Sequence, residues 1–528
     1  MYIFYSEVIM VLSDILMLIT IAVYMVAMVG IGVYYTNKNK SSDDFYLGGR
    51  KLGPFVTAMS AEASDMSSWL LMGLPGVALA TGIAEAFWTA LGLALGTYFN
   101  WLIVAKRIRT YSEKISANTI PDFFSNRFRD KSGLITLVAA LIIIVFFVPY
   151  TASGFASVGK LFNSLFGVNY HVAMIVGAIV IVAYTVSGGF LAASTTDFLQ
   201  SIIMTIALVV VVIFGLTTVD GMASVTSAVE NLPGYLSLTS LFDSATSSAT
   251  SFSFLAIVST LAWGLGYFGM PHILLRFMAI KDKNKLKLSR RIASVWVVIS
   301  MGVAIFIGVI GYAMVNAGVV SLTDPERIII EISKLLSTHA WILAIVAGLI
   351  IAGILASIMS TSDSQLLAAA SSVSENIVKR FFAKDMKQKT SMIIARATVA
   401  VIAVLAVVFA WNPDSSVFRI VSFAWAGFGA AFGPVIIFAL FWRRTNKWGA
   451  FAGIFAGGAV VFIWKYLIRP IGGAFDIYEL LPAFIVSFVA IIVTSLLTAA
   501  PDKEVTDTFD AVNAYCKAKA SNVDAVED

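Results

Sequence analysis

The chain has 528 residues, of which 59% are hydrophobic and only 13% charged, with a formal net charge of +5. Soluble globular proteins carry about 25% charged residues, so this composition excludes a soluble domain and points to a chain built for lipid. One cysteine and three scattered histidines offer no disulfide framework, zinc centre or haem ligation.

Apolar runs of about 20 residues, enough to cross a hydrocarbon core of roughly 30 Å, recur from end to end. They predict a polytopic all-α membrane protein with thirteen spans, near 10–34, 55–78, 82–105, 134–158, 170–187, 197–217, 253–275, 290–316, 340–375, 392–411, 418–441, 449–468 and 478–499. One transmembrane domain over 1–500 is expected, followed by a tail over 501–528 that is mixed in charge and expected to be partly disordered. The N-terminus opens with no basic region and no small-residue cleavage pattern, so no removable signal peptide is expected.

The second span carries two acids and four hydroxyls in Ser60-Ala-Glu-Ala-Ser-Asp-Met-Ser-Ser-Trp69. A charged group at that depth costs about 2.5–3.5 kcal/mol on insertion scales, so Asp65 and Glu62 need a compensating role. Serines and alanines around them suggest a helix that unwinds and offers carbonyls beside a carboxylate, which is a cation site. Glu62 is expected to face a solvated vestibule, with pairing or repulsion against Asp65 as the other readings.

Basic residues crowd four loops. Lys106 to Lys131 follow the third span and Arg276 to Arg291 the seventh; Lys379, Arg380, Lys384, Lys387 and Lys389 follow the ninth, and Arg443, Arg444 and Lys447 the eleventh. The loop over 218–252 has no Lys or Arg. The positive-inside rule puts the basic loops in the cytoplasm, and thirteen spans then leave the N-terminus outside and the C-terminus inside. These clusters read as topology signals and lipid-headgroup contacts, not as a nucleic-acid surface. No phosphate-binding GxxxxGK[ST] loop occurs, so an ion gradient is the expected energy source.

Asp197, in Ser194-Thr-Thr-Asp197, reads as a helix cap or first-turn acid at the start of the sixth span. The seventh span is interrupted by Gly264, Gly266, Gly269 and Pro271, five spans after the first break. Paired broken helices in two halves point to a midplane site in an inverted-repeat transporter, with repeats near 55–217 and 253–441. The plainer reading is that these glycines permit close helix packing. In the ninth span Ser357, Ser360, Thr361 and Ser364 form one helical stripe of hard oxygen donors, or else a small-residue seam. Asp363 lies off that stripe and would flank it.

The run Ala63-Ser-Asp-Met-Ser-Ser-Trp-Leu-Leu-Met-Gly-Leu-Pro-Gly76 resembles the signature of the sodium/solute symporter family, with the nearest likeness to its sodium/proline branch. Further matches are Ile120-Pro-Asp-Phe123, Arg127-Phe128, Ser187-Gly-Gly-Phe-Leu-Ala192, Thr196-Asp197, Gly266-Tyr-Phe-Gly269, Ile358-Met-Ser-Thr361 and the run from Ala424 to Pro434, over roughly 40–470. The resemblance implies a LeuT-type inverted 5+5 repeat in the plasma membrane, no cofactor, and sodium-coupled uptake of L-proline. It implies a sodium site from the carbonyls of Ala63, Met66 and Ser357 and the hydroxyls of Ser360 and Thr361, with Asp65 supporting. A second sodium at Asp197 with Ser360 and Ser364 stands beside the cap reading. The substrate would be bounded by Ser67, Trp69, Tyr150, Trp263, Tyr267 and Pro271. Glu62, Ser68, Asp363 and Met270 depart from the family pattern, and Met270 bears on specificity. Another small amino acid, a monocarboxylate, or a receptor that binds without transporting are the rival readings.

Overall fold

In lipid every backbone polar group must pair within its own segment, and the apolar runs accordingly become long helices. The computed structural model describes residues 2–36, 42–383 and 386–524. Among the described residues, ten helices are long and apolar enough to cross a membrane. The pair Phe254–Phe268 and Pro271–Ala279 is long and apolar enough when taken together, is bent by 44° at its break, and makes an eleventh span when counted as one. Two expected spans fall outside that set. The one near 170–187 is the short helix Tyr170–Val186. The one near 55–78 consists of Pro54–Ser68, Trp69–Gly73 and Leu74–Thr81, where acids and hydroxyls interrupt the apolar run.

The sixth span begins at Gly188 rather than near 197. Helix runs through the expected loop and is broken only at Gly189, whose φ of 64° is a conformation suited to glycine. The fold also departs from all-α in the 218–252 loop, where Ser240–Asp243 pairs antiparallel with Ser248–Ser251. Just before that hairpin, the Tyr235 carbonyl accepts from the Ile83 N–H at 2.9 Å, and its hydroxyl donates to the Leu79 carbonyl at 3.3 Å. The loop thus covers the far end of the first broken span.

Trp341–Ser371 is the central helix. It packs on Tyr2–Thr36, Pro54–Ser68, Leu134–Phe166 and Tyr170–Thr218, and its residues from Ile350 to Ser371 are all buried. A helix apolar on every side belongs in the middle of a bundle, which is why its serine stripe faces protein rather than lipid.

The four basic clusters meet at one face. Arg109 Nε donates to the Ile280 carbonyl at 2.8 Å, and Lys283 pairs with Glu113 at 3.3 Å. Arg380 donates to Ser125 Oγ at 2.7 Å, and Arg107 to the Leu440 carbonyl at 3.2 Å. Lys384 lies outside the described residues. Among the described residues of the tail, Lys503–Asp524 is a helix, where the composition suggested partial disorder. Val505, Phe509 and Val512 are buried along one of its faces, while Glu504 pairs with Arg129 and Asp510 with Arg443. Helical spacing of three apolar residues against a basic surface outweighs the polar composition that suggested disorder.

Candidate functional site

The first broken span leaves helical geometry at Ser67, which has φ 47° and ψ −169°. A serine with positive φ is uncommon, and such strain persists only where surrounding contacts fix it. Here the Trp69 N–H reaches back to Ser67 Oγ at 3.1 Å and to the Met66 carbonyl. The break falls within the polar run Ser60–Trp69.

Four of the residues expected to hold sodium come together beside it. Ser360 Oγ donates to the Ala63 carbonyl at 2.8 Å and lies 3.3 Å from the Ser357 carbonyl. Thr361 Oγ1 donates to that same Ser357 carbonyl at 3.1 Å. All four residues are buried. The cluster is made of neutral hard oxygens, a donor set suited to a monovalent alkali cation and short of the carboxylates that calcium demands. Met66 stands one residue before the break, with its carbonyl turned to Trp69.

Asp65 faces the second broken span. Its carboxylate accepts a close hydrogen bond from the Tyr267 hydroxyl, and its main-chain carbonyl accepts from the Tyr150 hydroxyl at 3.1 Å. Asp65 therefore ties the two breaks together.

A cavity of about 10 Å³ lies beside Asp65, bounded by Met66, Trp69, Leu93, Tyr150, Trp263, Val421 and Trp425. On that measure a single water molecule needs about 10–15 Å³, so a solute as large as an amino acid requires the helices to part. Trp69 and Trp263 face each other with ring centroids 5.6 Å apart, and both pack on Phe418. Of the expected substrate residues, Trp69, Tyr150 and Trp263 bound the cavity. Ser67 and Pro271 do not, and Tyr267 reaches it through Asp65. Met270 is buried outside the wall, at the start of the Pro271–Ala279 helix. Leu93, Val421 and Trp425 are additions. Trp425 sits in the run from Ala424 to Pro434 and could have been singled out there, whereas Leu93 and Val421 are apolar residues in apolar helices and carried no signal.

The glycines of the second break serve packing as well as the bend. A Cβ on Gly264 would stand 2.1 Å from the Gly92 carbonyl oxygen, one on Gly269 2.2 Å from that of Phe428, and one on Gly266 1.9 Å from Trp425 Nε1. The same Trp425 Nε1 donates to the Trp263 carbonyl at 2.8 Å. The close approach on Gly266 therefore fixes two aromatic walls of the cavity.

Asp197 is not a cap, because the helix has already begun at Gly188. It is fully buried and accepts from Ser60 Oγ at 2.7 Å and from Arg276 Nη2 at 3.1 Å. Arg276 also donates to Ser60 Oγ at 3.1 Å, to the His272 carbonyl at 3.0 Å and closely to Ser364 Oγ. Ser364 in turn donates to Asp363 at 3.1 Å. Arg276, read from the sequence as one of a loop's topology charges, is 1% exposed. Nothing in its position within a basic cluster signalled that. Glu62 likewise does not face a vestibule: it is buried and accepts from Trp101 Nε1 at 3.0 Å. Apolar packing of Trp101 on Phe277, with centroids 4.4 Å apart, closes off water there.

The family model described as the sodium:solute symporter family matches residues 45–457. The chain is 44% identical over 503 residues to the osmoregulated proline transporter OpuE of Bacillus subtilis, covering 95% of this chain and 99% of that one. It is 44% identical over 513 residues to the sodium/proline symporter of Haemophilus influenzae, with the same coverage, and 42% identical over 491 residues to that of Staphylococcus aureus. Among solved structures, a Na+-coupled sialic acid symporter in a substrate-bound, outward-open state matches with a TM-score of 0.74 at 19% identity, covering 92% of this chain and 99% of that one. MhsT in complex with L-phenylalanine matches with a TM-score of 0.51 at 13% identity, covering 84% and 98%. These neighbours identify the architecture as that of the LeuT-fold transporters.

Proposed function

Because the chain belongs to the sodium:solute symporter family, we propose that it carries L-proline into the cell together with sodium, by alternating access across the plasma membrane. It is a transporter and not an enzyme. The observation that carries the reading is the oxygen cluster of Ala63, Ser357, Ser360 and Thr361 at the strained break of Ser67.

Sodium takes the Ala63 and Ser357 carbonyls and the two hydroxyls as ligands, and the Met66 carbonyl completes the set when the break adjusts. Its binding tightens the broken span against Trp341–Ser371. Asp65, bonded to Tyr267, passes that change to the second broken span. Proline lies between Trp69, Tyr150 and Trp263, with Ser67, Tyr267 and Pro271 joining as the helices part. Its ring suits the aromatic wall, and its carboxylate suits unwound backbone N–H groups. Each ligand then raises the affinity for the other by the same factor. Inward movement of one sodium gains about 2.3 kcal/mol per 100 mV of membrane potential.

We read the two breaks as marking repeats near 55–217 and 253–441 in a thirteen-span, 5+5 arrangement that counts Tyr170–Val186 and the interrupted segment from Pro54 to Thr81 as spans. Their charge pattern puts the basic face and the C-terminal helix in the cytoplasm and the N-terminus outside. At Asp197 and Ser364 the Arg276 guanidinium already supplies a positive charge, which favours one sodium per cycle. A second sodium there would require Arg276 to withdraw. Met270 adjoins Pro271 and departs from the family pattern, and proline remains the favoured solute on the strength of relatives 42–44% identical that are named proline transporters and sodium/proline symporters.

The test is uptake of radiolabelled L-proline into proteoliposomes under an inward sodium gradient, with potassium as control. Accumulation that needs sodium and is competed by unlabelled proline supports the proposal. Sodium-driven uptake of another amino acid or a monocarboxylate instead would replace the solute and keep the mechanism. Binding without accumulation would make the protein a receptor.

A further inference from the structure

On the basic face, a cavity of about 420 Å³ opens between the loop after the third span and the C-terminal helix. Five cations line it (Lys114, Arg127, Arg129, Lys131 and Arg380) against two carboxylates, Asp130 and Glu504. Both carboxylates have other work. Asp130 accepts from the Ile135 N–H at 2.8 Å and from Ser132 Oγ, and Glu504 pairs with Arg129. Arg380 spends its donors on neutral acceptors, Ser125 Oγ at 2.7 Å and the Asp130 carbonyl at 2.6 Å.

The decisive residue is Arg127. It is 1% exposed, its Nε donates to the Ala439 carbonyl at 2.9 Å, and its guanidinium lies 5.0–5.3 Å from the rings of Tyr111, Phe128 and Phe509. Its Nη1 and Nη2 have no hydrogen-bond acceptor and no carboxylate partner among the described residues. A buried guanidinium with two idle donors is costly unless a counter-charge reaches it. Burial accordingly lowers the Arg127 pKa from its ordinary value. Arginine stays charged in proteins all the same, so the need for an anion persists.

We infer that this cavity is a binding site for a phosphate-bearing anion, held by Arg127, Arg129, Lys131, Lys114 and Arg380 against the wall formed by the C-terminal helix. Phosphate is the matching chemistry because forked guanidinium donors meet its oxygens in pairs and several cations can share its charge. Either of two sources fits: the headgroup of an anionic lipid, or a free phosphate compound from the aqueous side. The lipid source is favoured by Phe381 and Phe382, which follow Arg380 at the cavity edge with 41% and 80% of their surfaces exposed. Rings so exposed beside a basic pocket belong at the membrane surface.

The test uses the full-length protein purified in a neutral detergent and titrated calorimetrically with inorganic pyrophosphate. The site predicts saturable binding of one equivalent. Arg129→Gln combined with Lys131→Gln, both exposed positions, should weaken it at least tenfold, whereas Lys447→Gln, on the same face but outside the cavity, should leave it unchanged. Repeating the titration in nanodiscs separates the sources. Pyrophosphate binding that survives in phosphatidylcholine but vanishes in phosphatidylglycerol assigns the site to a lipid headgroup, and binding that survives in both assigns it to a free phosphate compound. No saturable binding in detergent, or equal affinity in the double variant, would overturn the inference.

Discussion

The pair formed by Arg276 and Asp197 should behave as one buried unit, and a double-mutant cycle can measure it. The two groups are 1% and 0% exposed and 3.1 Å apart. At that separation, with an effective dielectric of about 20, their attraction is about 5 kcal/mol, most of it offset by the loss of hydration. Removing Arg276 leaves Asp197 and the neighbouring Asp363 buried without their counter-charge, whereas Asp197→Asn leaves Arg276 with Asp363 still nearby, so Arg276→Met should destabilise the fold by about 3–5 kcal/mol and Asp197→Asn by less. The double variant removes both charges and should recover at least about 2 kcal/mol of the summed loss. The assay is equilibrium unfolding in mixed micelles by increasing SDS, followed by tryptophan fluorescence, in potassium buffer so that sodium contributes nothing. Arg276→Met costing under about 1 kcal/mol, or a cycle additive within about 0.5 kcal/mol, would refute the reasoning.

Other consequences can be checked alongside. With the guanidinium gone, Arg276→Met leaves Asp197, Ser60 and Ser364 as a vacated cation position; sodium should then raise its melting temperature more than it raises that of the parent protein. Gly266→Ala drives a methyl into Trp425 Nε1, so it should cost about 1–3 kcal/mol from overpacking and reduce proline uptake at least tenfold. Glu62→Gln keeps an acceptor for Trp101 Nε1, and uptake at neutral pH should stay within twofold of the parent; a collapse of transport would mean that the carboxylate itself is needed.

What was legible in the sequence followed from local rules. Apolar runs of bilayer length gave the long helices, and acids with hydroxyls in the second span located a break that the structure puts at Ser67. The serine stripe at 357, 360 and 361 pointed one helix at Ala63, because a 3.6-residue period survives burial. What escaped depended on distant partners. Arg276 looked like a loop charge until its helix was seen packed on Ser60 and Asp197. Glu62 looked wet until Trp101 covered it, and the polar composition of the tail carried no sign that Phe509 would meet Arg127. Leu93 and Val421 had no distinguishing pattern, since an apolar residue in an apolar helix reads alike whether it faces lipid, core or substrate.

The central claim is that sodium is held where Ser360 crosses to the broken span. Its most direct test is binding of tritiated L-proline to purified protein across a sodium titration, in the parent and in Ser360→Ala. The oxygen cluster predicts that the sodium concentration for half-maximal binding rises at least tenfold, while proline affinity at saturating sodium stays within about twofold. An unchanged sodium dependence in Ser360→Ala would contradict it and move the coupling ion elsewhere in the protein.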